Sequence, residues 1–405
     1  MLKITKVPEK VKFVFGEFRD EFTEPSFESF TQLTSAVINS EKRRTVRRLH
    51  KSISGGKSRT AYEYFFHDAK WDEDSVAQCK ADYFFEESGV GVGDRIFLNV
   101  DDTFVEKKGD ETQGVGKFYD HSEGRYIHGN NFVTSCLQVG ENYIPHKSRM
   151  YLKEDATEAM DEEFRTKPEI AYEEMIEPLE TPKGTDLYVV FDSWWYSSDL
   201  IGKINNLGHE VVCRLKSNKK ILVNGEEKNV RDLAENLEFE EVAFKVRGKE
   251  KEYLALSLEV KIPELGRVRL VVSRKGEDGD PRYCMSTDLD LTMKEILQIY
   301  ENRWSVEIAH KEANQKFGFK EYQMRDKEAI ERFMQISFLS WTIIVLAHTT
   351  GKEFETVIEE MGIGEILDEV KLLYLIETVM VIKRIVETST SKEELGERMA
   401  DFFWS

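Results

Sequence analysis

The apolar residues of this chain change their spacing along its length, and each change marks a different kind of element. From Ser26 to about Glu87 the spacing is helical, with Phe27, Phe30, Leu33 and Val37 on one face and a further apolar cluster from Tyr62 to Phe66. Continuous apolar runs follow. Arg95 to Val100 predicts a buried strand ending at Asp101-Asp102-Thr103, and Asn131 to Val139 and Tyr143 to Leu152 predict two more, with turn residues between them. A charged helix is expected from roughly Glu158 to Glu177. After it come a strand over Leu187 to Asp192, a helix over Ser198 to Asn206 and a strand over His209 to Leu215.

Between Lys219 and Arg274 the pattern alternates, as in Val242-Ala-Phe-Lys-Val, Tyr253-Leu-Ala-Leu-Ser-Leu and Val268-Arg-Leu-Val-Val. Alternation is the period of a strand with one buried face. Tyr283 to Thr287 predicts a short returning strand and Thr292 a helix N-cap. Two helices rich in Ile, Leu and Val close the chain, at Lys327 to His348 and Glu365 to Glu387. The order β-β-β-α-β-α-β, with acids at strand ends, predicts an α/β fold: an RNase H-like catalytic core with a β-rich insertion, plus N-terminal and C-terminal helical regions. The expected boundaries are 1–92 for a helical, DNA-binding domain, 93–218 and 281–325 for the two parts of the core, 219–280 for the insertion subdomain, and 326–405 for the C-terminal helical region.

At 405 residues, 40% hydrophobic and 11% aromatic, the chain has material for two or three domains with ample core. A net charge of −19 argues against a simple DNA-coating protein, because cations must lie where phosphates lie. Their placement is uneven. Glu41 to Thr60 carries Lys42, Arg43, Arg44, Arg47, Arg48, Lys51, Lys57 and Arg59 against a single acid, whereas Glu154 to Glu180 and Lys352 to Glu369 are strongly acidic. Thr45 to Leu49, before the Gly55-Gly56 break, is a candidate for part of a helix-turn-helix-like DNA reader; the alternative is a helical cap with a solvated basic face. Cys79, Cys136, Cys213 and Cys284 are scattered, which predicts reduced thiols in a cytoplasmic protein. His121, His128 and His146 lack metal-ligand spacing, so no zinc site is expected. The run Phe338 to Ala347 is too short to span a bilayer and reads as a buried helix.

The most informative stretch contains Tyr300, Arg303, Glu307, Lys311 and Asn314, spaced three, four, four and three apart. On one helix these form a polar stripe, with Leu297, Trp304 and Ile308 as the apolar stripe beside it. One acid among cations and hydrogen-bonding groups suits a metal-bound phosphate, although the same spacing also describes a solvated face of i,i+4 ion pairs. The stretch resembles the Y-(2)-R-(3)-E-(6)-K signature of the DDE transposases of bacterial and archaeal insertion sequences, in the insertion-sequence-4 type group. Tyr300, Arg303 and Glu307 match, and Trp304 fits. Asn314 stands where the signature has its last lysine, and Lys311 fits a second lysine often seen one turn earlier.

The resemblance covers roughly residues 95 to 350. It implies a transposase that cuts element ends by water attack and joins the freed 3′-OH to target DNA. Asp102, Asp192 and Glu307 are the implied catalytic and metal-binding acids, holding two Mg²⁺ (or Mn²⁺) per active site. Asp102 is preferred because the family's first acid commonly precedes threonine, and because alternation sends its rival Asp101 to the opposite strand face. For either strand-end aspartate alone, a turn or N-cap role is the alternative. Lys107 and Lys108, in a Lys-Lys-Gly stretch, and Arg214 and Lys216, in Arg-Leu-Lys-Ser-Asn, resemble family stretches that place cations past strand ends. With Tyr300, Arg303, Lys311, Asn314 and the N-terminal Arg43, Arg44, Arg47 and Arg48, they make up the expected DNA-binding set. Trp194 and Trp195 are candidates for stacking on unpaired bases, with core packing as the alternative. The resemblance further implies a homodimer on transposon-end and target DNA in a paired-end complex. Two other readings remain open: a domesticated, non-cleaving DNA-binding protein, which Asn314 and the acidic charge permit, and a structure-specific nuclease without strand transfer.

Overall fold

The computed structural model describes residues 3–120, 123–223, 225–233, 238–349 and 362–404. One sheet organises it. The strands β1 (Arg95–Glu106), β2 (Gly116–Asp120), β3 (Arg125–Val139), β4 (Asn142–Tyr151), β5 (Asp186–Phe191) and β6 (Glu210–Leu215) supply one half. The strands β7 (Lys220–Val223), β8 (Glu226–Asn229), β9 (Glu240–Val246), β10 (Lys249–Ile262), β11 (Gly266–Arg274) and β12 (Arg282–Ser286) supply the other. The order is β2-β3-β1-β5-β6-β12-β11-β10-β7-β8, with β4 on β3 and β9 on β10. β1, β5 and β6 are parallel to one another and every other pairing is antiparallel. The alternating segment is therefore not a separate layer: through β12 it continues the core's own sheet.

Helices α1 (Glu9–Glu17), α2 (Glu24–Asn39), α3 (Val46–Ser52), α4 (Arg59–His67) and α5 (Glu73–Glu87) form the N-terminal region. The expected helix over 158–177 is instead α6 (Glu154–Met160), a turn at the left-handed Asp161, and α7 (Lys167–Ala171) running on into a π-type turn. Pro168 explains the restart, because it fits the first turn of a helix and not its interior. α8 (Ser198–Asn206) lies against β6, with Ser197 accepting the Leu200 N–H as its cap. α9 (Met293–Asn302) and α10 (Trp304–Phe317) carry the polar stripe, and α9 opens with a capping box between Thr292 and Glu295.

α11 (Lys327–Thr349) is the hub. It packs against α1, α2, α4, α5, α10, β4 and α12 (Ile363–Thr388), and all the residues of its apolar stretch are buried inside the fold. Its 23 residues, and a mean hydropathy of 1.4 over an 18-residue window, match a membrane span by length and composition, yet its partners here are protein. α13 (Lys392–Trp404) ends the described chain. The acidic segment expected at 352–369 lies largely outside the described residues, as does His121.

A buried polar seam ties α5 to β4 and α11. Lys80 of α5 is fully enclosed, donates to the His146 carbonyl at 2.6 Å and lies 5.7 Å from the Phe338 ring centre. Burial drives its pKa well below the usual lysine value, with Lys147 adding repulsion. The native state therefore holds fewer protons here than the unfolded chain, and stability rises with pH up to the unfolded value near 10.5. Lys80→Met removes that cost. It is expected to stabilise the fold by on the order of 2 kcal/mol, more at pH 6 than at pH 9, as read by urea unfolding at both.

Candidate active site

The parallel register places two acids side by side. β1 pairs with β5 from Arg95↔Asp186 to Asn99↔Val190, and β5 with β6 as far as Phe191↔Cys213. Carried on to the end of β5, the same register sets Asp101, Asp192 and Arg214 in one row across three strands about 4.8 Å apart. β5 stops at Phe191, while β1 runs on to Glu106 against β3. The sheet opens there, at the carboxyl end of a parallel strand, where α/β folds place their sites. A cleft of about 1170 Å³ fills the opening, lined by Asp101, Asp102, Asp192, Glu307, His310 and Lys320 among others.

The two faces of β1 give its aspartates different partners. Arg95 pairs with Glu295 of α9 at 2.7 Å, Asn99 Nδ2 donates to Ser305 Oγ of α10 at 3.0 Å, and Asp101 Oδ2 accepts from Arg303 at 3.0 Å. Odd positions thus face α9 and α10. Even positions face the other layer: Ile96, Leu98 and Val100 enter the main core, and Asp102 takes the ammonium of Lys167 from α7 and the Asn131 amide at 2.8 Å. Alternation does separate Asp101 from Asp102, as expected. The Arg303–Glu307 pair lies on the Asp101 side, while Asp102 lines the same cleft and its charge acts on His310 of α10.

Arg303 sits between the acids. Its guanidinium donates to Asp101 and, at 2.9 Å, to Glu307 in the first turn of α10, where the helix dipole also favours a carboxylate. Burial, opposed by Arg303 and reinforced by Asp102 and Asp192, pushes the Asp101 carboxyl up to about 7. Asp192 accepts the Trp194 backbone N–H with Oδ1 at 2.7 Å, so a turn role and a place in the acidic row coexist in one side chain. His310, one turn beyond Glu307, meets Thr134 Oγ1 at 2.6 Å, and burial holds its pKa down at about 3.

These donors suit a hard divalent cation: they are carboxylates on rigid strand ends, and three of the four cysteines are buried away from solvent. Among the described residues no three acids or imidazoles converge closely enough to hold an ion as they stand. Arg303 occupies the space between Asp101 and Glu307 and supplies the positive charge there.

Comparison with known proteins identifies the family. The profile of a family described as DDE superfamily endonuclease matches residues 17–238, more than half of the chain. The chain belongs to the DDE superfamily of endonucleases. A second profile, of the transposase DDE domain, matches residues 170–343 and so spans Asp192 and Glu307. A probable transposase for insertion sequence element IS701, from Microchaete diplosiphon, is 24% identical over 311 residues, covering 76% of this chain and 79% of that protein. A piggyBac transposase synaptic complex with hairpin DNA, solved by cryo-EM, aligns with 95% of this chain and 77% of that one, at 12% identity and a TM-score of 0.47. The enzyme is a DNA transposase of the DDE type, a class that generally works with divalent metal.

Beside the acids of the cleft the helix expected to carry the whole polar stripe is interrupted at Arg303. α9 ends at Asn302 and α10 starts at Trp304, with tight i→i+3 hydrogen bonds from Arg303 N to Tyr300 O and from Val306 N to Arg303 O. Tyr300 therefore lies on a different helix from Glu307, its ring centre 5.7 Å from the Arg303 guanidinium carbon and its hydroxyl pushed up to about 12 by burial. Lys311 and Asn314 lie farther along α10 and line neither the acidic cleft nor its basic neighbour. Trp304, expected in the apolar stripe, is 53% exposed, while Leu297 is buried and Ile308 partly so.

The other candidates divide by burial. Trp194 is 61% exposed, lines the acidic cleft and has the Lys216 ammonium 5.9 Å from its ring centre. Trp195 also lines that cleft but is 5% exposed and packs in the core, as the alternative reading expected. Lys107 packs its ammonium on the Tyr322 ring, and burial lowers its pKa to about 8; Lys108 is exposed. Arg44 is buried, donating to the carbonyls of Val37, Ser40 and Lys316, so it ties α2 to the end of α10 and is not presented to DNA. Arg43, Arg47 and Arg48 are exposed. Arg44→Met is expected to cost about 3 kcal/mol in unfolding experiments. Arg47→Gln is expected to stay within about 0.5 kcal/mol of wild type and to register only in DNA affinity. Sequence reasoning passed over Lys167, Asn131 and His310; His310 was within reach, one turn from Glu307 on the same helix.

Proposed function

We propose that this enzyme cuts DNA at the ends of an insertion sequence of the insertion-sequence-4 type and joins the freed 3′-OH to target DNA, using Asp101, Asp192 and Glu307 as its catalytic acids. The observation that carries this is the row that sets Asp101 beside Asp192 beneath Glu307, joined through Arg303. Asp102, held by Lys167 and Asn131, then acts as a neighbour that shapes the cleft wall. Two Mg²⁺ or Mn²⁺ ions are the cofactors these carboxylates would hold once Arg303 withdraws from between Asp101 and Glu307; when bound, they would supply a polarised water or 3′-OH and stabilise the leaving oxygen.

The chain's own groups have separable tasks. Asp101 and Asp192 present oxygens from a sheet edge that cannot shift independently. Arg303 neutralises the acids when they are otherwise unpaired, and on withdrawing from either carboxylate it reaches a substrate phosphate. Tyr300 contacts the DNA backbone beside it. Trp194, exposed at the cleft, stacks on an unpaired base near the cut. Lys108, Lys216, Lys311 and the exposed arginines Arg43, Arg47 and Arg48 track phosphates at greater distance. The enzyme acts as a homodimer on paired ends, on DNA in the cytoplasm.

The test uses duplexes copied from the DNA bordering the gene, precut to expose a 3′-OH, with supercoiled plasmid and Mg²⁺. Labelled strands joined to plasmid, and none from 3′-deoxy ends, are expected. Cutting that never leads to joining would leave a nuclease in place of a transposase.

A further inference from the structure

Arg303 also lines a second cleft, of about 690 Å³, whose character is the reverse of the acidic one. Its other walls come from the β9–β10 hairpin, the ends of β11 and β12, and Arg214 of β6, with Lys249, Lys251, Lys275 and Arg282 contributing charge. The only acid among the lining residues, Glu301, is already engaged by Lys251 at 3.2 Å and by the Tyr253 hydroxyl at 2.7 Å.

Three guanidinium groups in this cleft keep buried N–H groups with no acceptor: Arg214 Nε, Arg247 Nη1 and Arg303 Nε. A buried donor without a partner costs free energy, so three in one cleft point to an acceptor-rich ligand. Arg247 adds a second sign. It occupies the first position of a two-residue hairpin turn with φ 49°, followed by Gly248 at φ 68°. That position favours Asn, Asp or Gly, and a long cationic side chain held there is a backbone strain kept in place by its contacts. Those contacts are its N–H to Glu141 at 2.9 Å and Nη2 to the Glu301 carbonyl at 3.2 Å. Beside the cations, Trp304 exposes its ring at the cleft.

We propose that this cleft binds the backbone of a single DNA strand, with one base stacked on Trp304, next to the acids that cut it. The inference rests on the reading of the chain as a DNA transposase and specifies where one strand runs. Cations interleaved with an exposed aromatic are the chemistry of single-strand binding, because a ring can stack only on a base that is free of its partner.

The experiment measures anisotropy of fluorescein-labelled (dT)₂₀, and of a 20-base-pair duplex, over a salt series. The proteins are wild type, the triple variant Lys249→Gln/Lys275→Gln/Arg282→Gln, and Trp304→Ala; all four residues are exposed, and thermal unfolding confirms each fold. The triple variant is expected to bind (dT)₂₀ at least 10-fold more weakly, with a salt slope smaller by about 2. Trp304→Ala is expected to lose about 5- to 100-fold with an unchanged slope. Unaltered (dT)₂₀ binding in both variants, or equal losses on duplex, would overturn the proposal. Wild type that binds (dT)₂₀ through this cleft but cuts no end DNA with Mg²⁺ or Mn²⁺ would leave the strand site standing and sink the transposase reading instead.

Discussion

Asp101→Asn is expected to abolish end cleavage, with a loss on the order of 10³-fold or more, whereas Asp102→Asn is expected to lose no more than roughly 10- to 100-fold. The two residues are adjacent and both line the acidic cleft, so neither exposure nor distance along the chain separates them. Their partners do. Asp101 shares its face with Arg303 and Glu307 and its register row with Asp192, and the Asp192 charge is one of the causes raising its pKa. Asp102 already has an ammonium and an amide and points toward α7. Asparagine keeps the shape of either side chain and removes one anionic oxygen, so the comparison isolates charge. Cleavage assays under single turnover, with Mn²⁺ titrated in each variant, decide the matter. A dead Asp102→Asn beside an active Asp101→Asn would return the first acid to Asp102.

The contrast shows where the sequence was legible. Runs such as Leu187 to Phe191 and Val211 to Leu215 announce strands because all their side chains but Arg214 are apolar or aromatic, and Ser198 to Asn206 announces a helix because Ser197 caps it. The resemblance to the transposase signature implied that Asp192 and Glu307 share a site, and both line the acidic cleft. What spacing lacked was the third dimension of β1. Period two separates Asp101 from Asp102, but it does not say on which face α9 and α10 pack; that depends on contacts such as Asn99 to Ser305, across two hundred residues.

The break at Arg303 was equally hidden, since a 3.6-residue stripe continues through it on paper. The chain instead tightens to i→i+3 bonds there and divides the stripe between two helices, with Arg303 at the junction still meeting both Tyr300 and Glu307. Burial of Arg44 inside a basic cluster shows a third limit. Composition counts its charge with Arg43 and Arg47, while three carbonyl acceptors hold it in the interior. The joining of β10 and β11 to the core sheet was also unreadable from alternation, which gives a strand's buried face and not its neighbours.

Glu307→Gln carries the second large effect, and its value lies in what stays constant. Cleavage is expected to fall by on the order of 10³-fold, because a hard divalent ion prefers an anionic oxygen to an amide. Folding is expected to change by no more than about 1 kcal/mol: the side chain is 32% exposed and its ion pair with Arg303 is a partly solvated i,i+4 contact, while Arg303 keeps Asp101. DNA affinity without metal is expected to hold or to rise slightly, since a negative charge has been removed from the path of a phosphate. Cleavage, duplex anisotropy in EDTA and thermal unfolding on the same preparation separate these three quantities. Cleavage at the wild-type rate would remove Glu307 from the acid set. A coupled loss of fold and DNA affinity would instead make the Arg303–Glu307 pair a structural brace, and the catalytic assignment would then have no support from this residue.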